Sequence, residues 1–86
     1  LFAVIQDRKL NPSNESYTTK LLSDGVERIA QKIIEEAGEV AIAAVTRDEN
    51  ETAEELSDLL YHTLVLLSEM EINPEKVWQV LRNRRG

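Results

Sequence analysis

The 86-residue sequence contains no cysteine, which excludes a disulfide framework and any thiolate metal site. It has only three glycines and two prolines beside many Ala, Leu, Glu and Ile residues, a composition typical of a helical chain. No apolar run approaches the roughly 20 residues of a membrane span, and the start lacks the features of a secretory signal. Basic residues are also scarce: ten against sixteen acidic ones give a net charge of -6, which argues against nucleic acid as a partner.

These limits leave a small acidic protein with a single domain, residues 1–86, which we expect to be cytoplasmic and not bound to a membrane. A chain of this length buries only about 60–65% of its unfolded surface, so its core is marginal and a second subunit would help. The chain opens on a helix-like sequence, Leu1 to Ile5, and not on methionine, which leaves open whether residues precede Leu1.

Apolar residues at three- and four-residue steps predict an all-α fold, an antiparallel helical bundle with short loops. The first helix stops before the loop sequence 11–14. Ser16 can cap a brief second helix through Leu22, which the sequence Ser23-Asp24-Gly25 ends. We expect Asp24 and Glu27 to form a capping box for a third helix that runs to about residue 46.

After a turn at residues 47–50, Asp48 and Glu51 have the form of a second capping box, for the fourth helix. Asn73 as cap and Pro74 as first residue then open the last helix. The fourth helix is apolar nearly all round between Leu59 and Leu67, so we expect it to form a homodimer interface. The positions predicted to face the core are Val26, Ile29, Ile33, Ala37, Val40 and Ala44, then Ala53, Leu56, Leu60, Thr63, Leu67 and Met70, and finally Val77, Val80 and Leu81.

Five carboxylates form two tight groups, Glu35-Glu36-x-x-Glu39 and Glu55-x-x-Asp58, on helices predicted to be neighbours. At about 100° per residue, each group lies on one flank of its apolar stripe, so two antiparallel helices can close both flanks around one gap. Like charges at these spacings destabilise a helix by roughly 0.2–0.5 kcal/mol per pair, which a bound cation would relieve. Oxygen ligands without cysteine favour Mg²⁺, with Mn²⁺ as a possible substitute.

Two simpler interpretations, a solvated face and the helix dipole, compete with a metal site. The acids could be a solvated helix face, and Glu51 and Glu54 are explained by the helix dipole alone. Gly38 costs about 1 kcal/mol inside a helix and is either chance or a place of close approach. A di-iron bundle site is excluded, because no Glu has His three residues after it.

The acidic groups resemble the metal motif of the all-α nucleoside triphosphate pyrophosphatases, the MazG-like superfamily. Within it, three stretches are similar to the phosphoribosyl-ATP pyrophosphohydrolases of histidine biosynthesis: Ser16-Tyr17-Thr18-x-Lys20-Leu21, Gly25-x-x-Arg28-Ile29-x-x-Lys32, and Asp58-Leu59-Leu60-Tyr61-His62-x-Leu64-Val65-Leu66-Leu67. The resemblance implies a homodimeric helical enzyme that hydrolyses N1-(5-phosphoribosyl)-ATP to the AMP derivative and pyrophosphate with Mg²⁺. The alternatives are a house-cleaning (d)NTP pyrophosphatase and a non-catalytic helical dimerisation module.

The metal ligands expected for such a site are Glu36, Glu39, Glu55 and Asp58, of which Asp58 lies far from its apolar stripe and rests on the motif. Glu35 is expected either to support a ligand or to orient the attacking water. The basic residues expected to contact substrate phosphates are Lys20, Arg28 and Lys32, with Tyr17 and His62 as further candidates for contacts to base or ribose.

Overall fold

A computed structural model describes residues 1–85 as five helices, and no strand occurs within that range. The prediction of an all-α fold is therefore confirmed. The helices are α1 (Phe2–Leu10), α2 (Tyr17–Asp24), α3 (Val26–Thr46), α4 (Glu49–Glu69) and α5 (Pro74–Arg85). None of these helices is both long and apolar enough to cross a membrane.

Three of the predicted helix caps are confirmed by side-chain hydrogen bonds. Ser16 Oγ accepts from the Thr19 amide at 3.2 Å, Asp48 Oδ1 from the Glu51 amide at 3.0 Å and Asn73 Oδ1 from the Glu75 amide at 2.9 Å. Each bond satisfies an amide that has no partner within the first helical turn.

The capping box predicted at Asp24 and Glu27 is wrong. Asp24 is the last residue of α2, and Gly25 is the N-cap of α3, which has no side-chain hydrogen bond at this cap. Gly25 has φ 92°, a conformation that side chains disfavour and that allows two helices to meet at one residue.

The core lies at one end of the hairpin that α3 and α4 form. Ile5 of α1 and Leu21 of α2 pack there against Ile29 and Val65, and all four are almost completely buried. We call residues 26–33 of α3 and 61–68 of α4 the covered half of the hairpin. Residues 37–46 and 49–57 form the open half, in which most residues are exposed.

Several predicted core positions are exposed in the single chain. The prediction that α5 faces inward is wrong for this chain, because α5 has no buried residue. The sequence predicts that a second subunit covers residues 59–67. In the single chain, other helices already cover this stretch except at Leu60. The other predicted core positions that are exposed are Val26, Ala37, Ala44, Ala53, Leu56 and Met70.

Candidate active site

Three of the five predicted acids meet where the covered and open halves join. One carboxylate oxygen from each of Glu36, Glu39 and Glu55 lies within 4.8 Å of the other two. Glu36 is only 7% exposed, Glu55 is half-buried and Glu39 is exposed. The three-residue step between Glu36 and Glu39 places both on the side of α3 that faces Glu55 of α4. We call these three residues the carboxylate cluster.

The carboxylate cluster contains two buried oxygens that lack a hydrogen-bond donor among residues 1–85, Glu36 Oε2 and Glu55 Oε2. An unpaired buried carboxylate oxygen is costly, and a cation is the usual partner of such groups. The three carboxylate oxygens converge on one place, since each lies within 4.8 Å of the other two, and carboxylate oxygens are ligands that Mg²⁺ prefers. The residues present therefore fit a divalent cation.

Lys32 and Arg28 bring positive charge beside the carboxylate cluster. Lys32 Nζ lies 3.3 Å from Glu36 Oε1 and 3.8 Å from Glu35 Oε2, and Arg28 Nη1 lies 3.9 Å from the same Glu35 oxygen. Burial alone would lower the pKa of Lys32, but the hydrogen bond to Glu36, helped by Tyr17 and Glu35, raises it above its usual value. Lys32 thus stays charged at the edge of the cluster.

The two remaining predicted acids lie outside the carboxylate cluster. Glu35 is exposed and pairs with Lys32 and Arg28, and its role in supporting a ligand or orienting the attacking water stays a prediction. Asp58 is exposed on α4, and its carboxylate does not join the other three. The assignment of Asp58 as a ligand rests on the family motif alone and stays a prediction.

The predicted substrate contacts differ in how accessible they are. Lys20 is exposed on α2 and forms no ion pair within residues 1–85, so it is available to an anion. Tyr17 is half-exposed, and its hydroxyl lies 3.0 Å from His62 Nε2. His62 is only 5% exposed, so little of its ring can touch a substrate directly.

One neighbour of this group was not singled out from the sequence. The Tyr61 ring stacks on Tyr17 with centroids 6.2 Å apart and 24° between the planes, and the Tyr61 hydroxyl contacts Thr18 Oγ1. Tyr61 directly precedes His62 in the third stretch that is similar to the family. This position is the sequence signal that could have pointed to Tyr61. The two tyrosines join the start of α2 to the middle of α4.

Comparison with known proteins identifies the family. A sequence model described as phosphoribosyl-ATP pyrophosphohydrolase matches residues 1–85. A phosphoribosyl-ATP pyrophosphatase of Geotalea daltonii is 44% identical over 86 residues, which cover 100% of this chain and 81% of that protein. Proteins of the same name from Bacillus mycoides and Streptococcus thermophilus are each 45% identical over 86 residues, covering 100% of this chain and 80% and 83% of theirs.

The chain belongs to the phosphoribosyl-ATP pyrophosphohydrolase family. The family predicted from the three motif stretches is thereby confirmed, and with it the enzyme class, a hydrolase of histidine biosynthesis.

Proposed function

We propose that this protein hydrolyses N1-(5-phosphoribosyl)-ATP to N1-(5-phosphoribosyl)-AMP and pyrophosphate, and that it does so with Mg²⁺. The observation that carries the metal dependence is the pair of buried oxygens without donors, Glu36 Oε2 and Glu55 Oε2. Membership of the family supports the substrate and the bond that is cleaved. As a biosynthetic enzyme it would work in the cytoplasm.

The carboxylate cluster is the proposed metal-binding group, with Asp58 joining it as a further ligand. When bound there, Mg²⁺ would neutralise phosphate charge and make a water molecule more acidic. Mn²⁺ accepts the same oxygen ligands and could replace it. Glu36 uses one oxygen for Lys32 and keeps the other unpaired, so it can hold both a cation and the neighbouring ammonium group.

The basic residues around the cluster are the proposed contacts for substrate phosphates. Lys32 is only 21% exposed in its side chain and is held by Glu36, so its ammonium group has a fixed place. Arg28 is held more loosely by Glu35, and Lys20 is free to turn toward an anion. Glu35 would keep Arg28 and Lys32 in position, because its negative charge attracts both and offsets their mutual repulsion.

We further propose that two copies of the chain form the working enzyme. A monomer of 9.8 kDa is expected to expose about 5,200 Å², whereas this chain exposes 6308 Å². Its radius of gyration is 14.3 Å, compared with about 12 Å for a compact chain of this length. The excess of roughly 1,100 Å² is similar in size to the area that one subunit contributes to an obligate dimer.

The apolar residues that could form this dimer surface lie mainly on the open half of the hairpin and on α5. Val45 is 81% and Ile42 is 67% exposed on α3, and Trp78 is 54% exposed on α5. Isolated exposed apolar side chains are ordinary, but Ile42 and Val45 line one shallow apolar depression together, and grouped exposed apolar residues are typical of an interface.

The function is tested by measuring pyrophosphate release from phosphoribosyl-ATP and from a panel of dNTPs, with and without Mg²⁺. We expect release from phosphoribosyl-ATP, dependent on Mg²⁺ and restored by Mn²⁺ after chelation. Release from dNTPs alone would reassign the protein to nucleotide house-cleaning, and release from neither would favour a non-catalytic module.

The phosphate contacts are tested in the same assay with Lys32→Ala. We expect KM to rise by about tenfold or more, because a charge-assisted hydrogen bond contributes roughly 1.5–3 kcal/mol. Lys76→Ala removes the same charge from α5, away from the cluster, and serves as the matched control. An unchanged KM and kcat in Lys32→Ala would mean that Lys32 only pairs with Glu36.

A further inference from the structure

His62 of α4 contacts Tyr17 of α2. Neither residue takes part in the metal and phosphate binding proposed above. The Tyr17 hydroxyl lies 3.0 Å from His62 Nε2, and His62 Nδ1 lies 2.7 Å from the carbonyl oxygen of Asp58. His62 is buried, whereas Tyr17 remains half-exposed. The chain of contacts therefore runs from the interior of the subunit to a surface that can meet a ligand.

The two hydrogen bonds define where the protons are. A carbonyl oxygen can only accept, so His62 Nδ1 carries the proton that is donated to Asp58. In the neutral ring Nε2 can then only accept, and the Tyr17 hydroxyl must donate to it. The outer lone pairs of the Tyr17 oxygen stay free. Tyr17 thus presents a hydrogen-bond acceptor outward, and its own proton points inward.

The surroundings of Tyr17 place this acceptor at the active site. His62 links the Tyr17 hydroxyl to Asp58, a proposed metal ligand, and the charges of Lys32, Arg28 and Glu36 act on this hydroxyl. Burial raises the pKa of Tyr17, with Lys32 partly opposing, so the hydroxyl keeps the proton that it donates. Tyr61 stacks on the Tyr17 ring, and half of Tyr17 remains exposed and can contact a base or sugar.

We propose that His62 is a positioning residue that fixes the Tyr17 hydroxyl as an acceptor for a ribose hydroxyl or a base N–H group of the nucleotide substrate. This inference rests on the proposed function and refines it. It replaces the expectation that His62 itself touches the substrate.

The protonation pattern is tested first, by a measurement that needs no substrate. His62 is the only histidine of the chain, so untagged protein labelled with ¹⁵N-histidine gives a single pair of ring nitrogen signals. We expect Nδ1 to be protonated and Nε2 to be an acceptor, which is the less common tautomer of a free histidine. Tyr17→Phe should shift the Nε2 signal most. A proton on Nε2 would overturn the proposal.

The positioning role is tested by two substitutions that each keep one half of the imidazole. His62→Asn retains a donor near Nδ1 but cannot reach Tyr17, whereas His62→Gln places an amide oxygen where Nε2 accepts. We expect His62→Asn and Tyr17→Phe each to raise KM by about 3- to 10-fold, with a smaller change in kcat. The double variant should be no worse than either single one, and His62→Gln should restore most of the loss.

Thr63→Val is the matched control, because Thr63 Oγ1 donates to Leu59 O at 2.8 Å and its loss removes a similar bond from the same helix. Its KM should stay within about twofold of the parent value. An unchanged KM in His62→Asn, or an equal rise in Thr63→Val, would overturn the proposal while leaving the proposed function intact. Failure of the parent protein to release pyrophosphate would instead reject the proposed function, and with it the substrate role of Tyr17.

Discussion

The covered and open halves of the α3–α4 hairpin have similar apolar patterns but opposite environments. Ile29 of the covered half is completely buried beneath α1 and α2, while Ile42 of the open half is 67% exposed. The carboxylate cluster lies at the edge of the open half, where Glu36 and Glu39 of α3 meet Glu55 of α4. An apolar stripe therefore predicts that a helix face is buried, but not which element, or which subunit, buries it.

This difference implies that the two halves stabilise different states. The covered half can stabilise the single chain, since Ile5 and Leu21 close over it. Within the open half Ala43 is buried between the two helices, and the larger side chains Ile42, Val45 and Leu56 are exposed. If those side chains are covered by a second copy, their contribution depends on protein concentration.

The largest effect is expected for a charge placed on the open half. Ile42→Glu should leave the single chain folded, because the position is mostly exposed. It should weaken the dimer by at least about 3 kcal/mol, or more than 100-fold, because an unpaired charge would be buried at the interface. Sedimentation of Ile42→Glu and of the control Gln31→Glu, which adds the same charge to a polar position of α3, measures this. A dimer of unchanged strength would place the interface elsewhere.

A core substitution in the covered half should have an effect of similar size, but on the free energy of unfolding of the single chain and not on dimerisation. Ile29→Ala should lower the free energy of unfolding by about 2–4 kcal/mol, because it leaves a cavity beneath α1 and α2. The loss should be the same at low and high protein concentration when measured from the monomeric Ile42→Glu background. A loss that disappears in that background would show that Ile29 stabilises the dimer and not the subunit.

The smallest effect is expected at Gly38, in the middle of the hairpin. A Cβ built at this position meets no atom within 4 Å in the single chain. Gly38→Ala should therefore stabilise the isolated chain by about 0.5–1 kcal/mol through its higher helix propensity. Denaturation in the monomeric background tests this value. A loss of dimerisation or activity in the same variant would reveal close approach by the partner or substrate.

The helices and most of their ends could be predicted from the sequence because the determinants are local. Ser16, Asp48 and Asn73 each cap the helix that follows within three residues. The box predicted at Asp24 failed because Gly25 permits a backbone conformation that joins two helices at one residue. That choice depends on how α2 packs, which a local pattern does not contain.

The candidate site was predictable to the extent that helix periodicity determines it. Glu36 and Glu39 meet Glu55 as their positions around the two helices indicated. Asp58 has no such geometric support, and its inclusion required the family motif. The contact of Tyr17 with His62 joins residues 45 positions apart, so no local pattern could have predicted it.

The central claim is that the carboxylate cluster binds the Mg²⁺ on which pyrophosphate release depends. The most direct test uses the variant Glu39→Gln and measures two quantities, Mg²⁺ binding by calorimetry and pyrophosphate release from phosphoribosyl-ATP. Glu54→Gln removes the same charge from α4 and serves as the control. We expect Glu39→Gln to retain its helical content, to bind Mg²⁺ at least tenfold more weakly and to lose at least about 100-fold in kcat/KM, or roughly 2.7 kcal/mol. The control should match the parent protein. Near-normal activity and Mg²⁺ binding in Glu39→Gln would place the metal elsewhere and contradict the account.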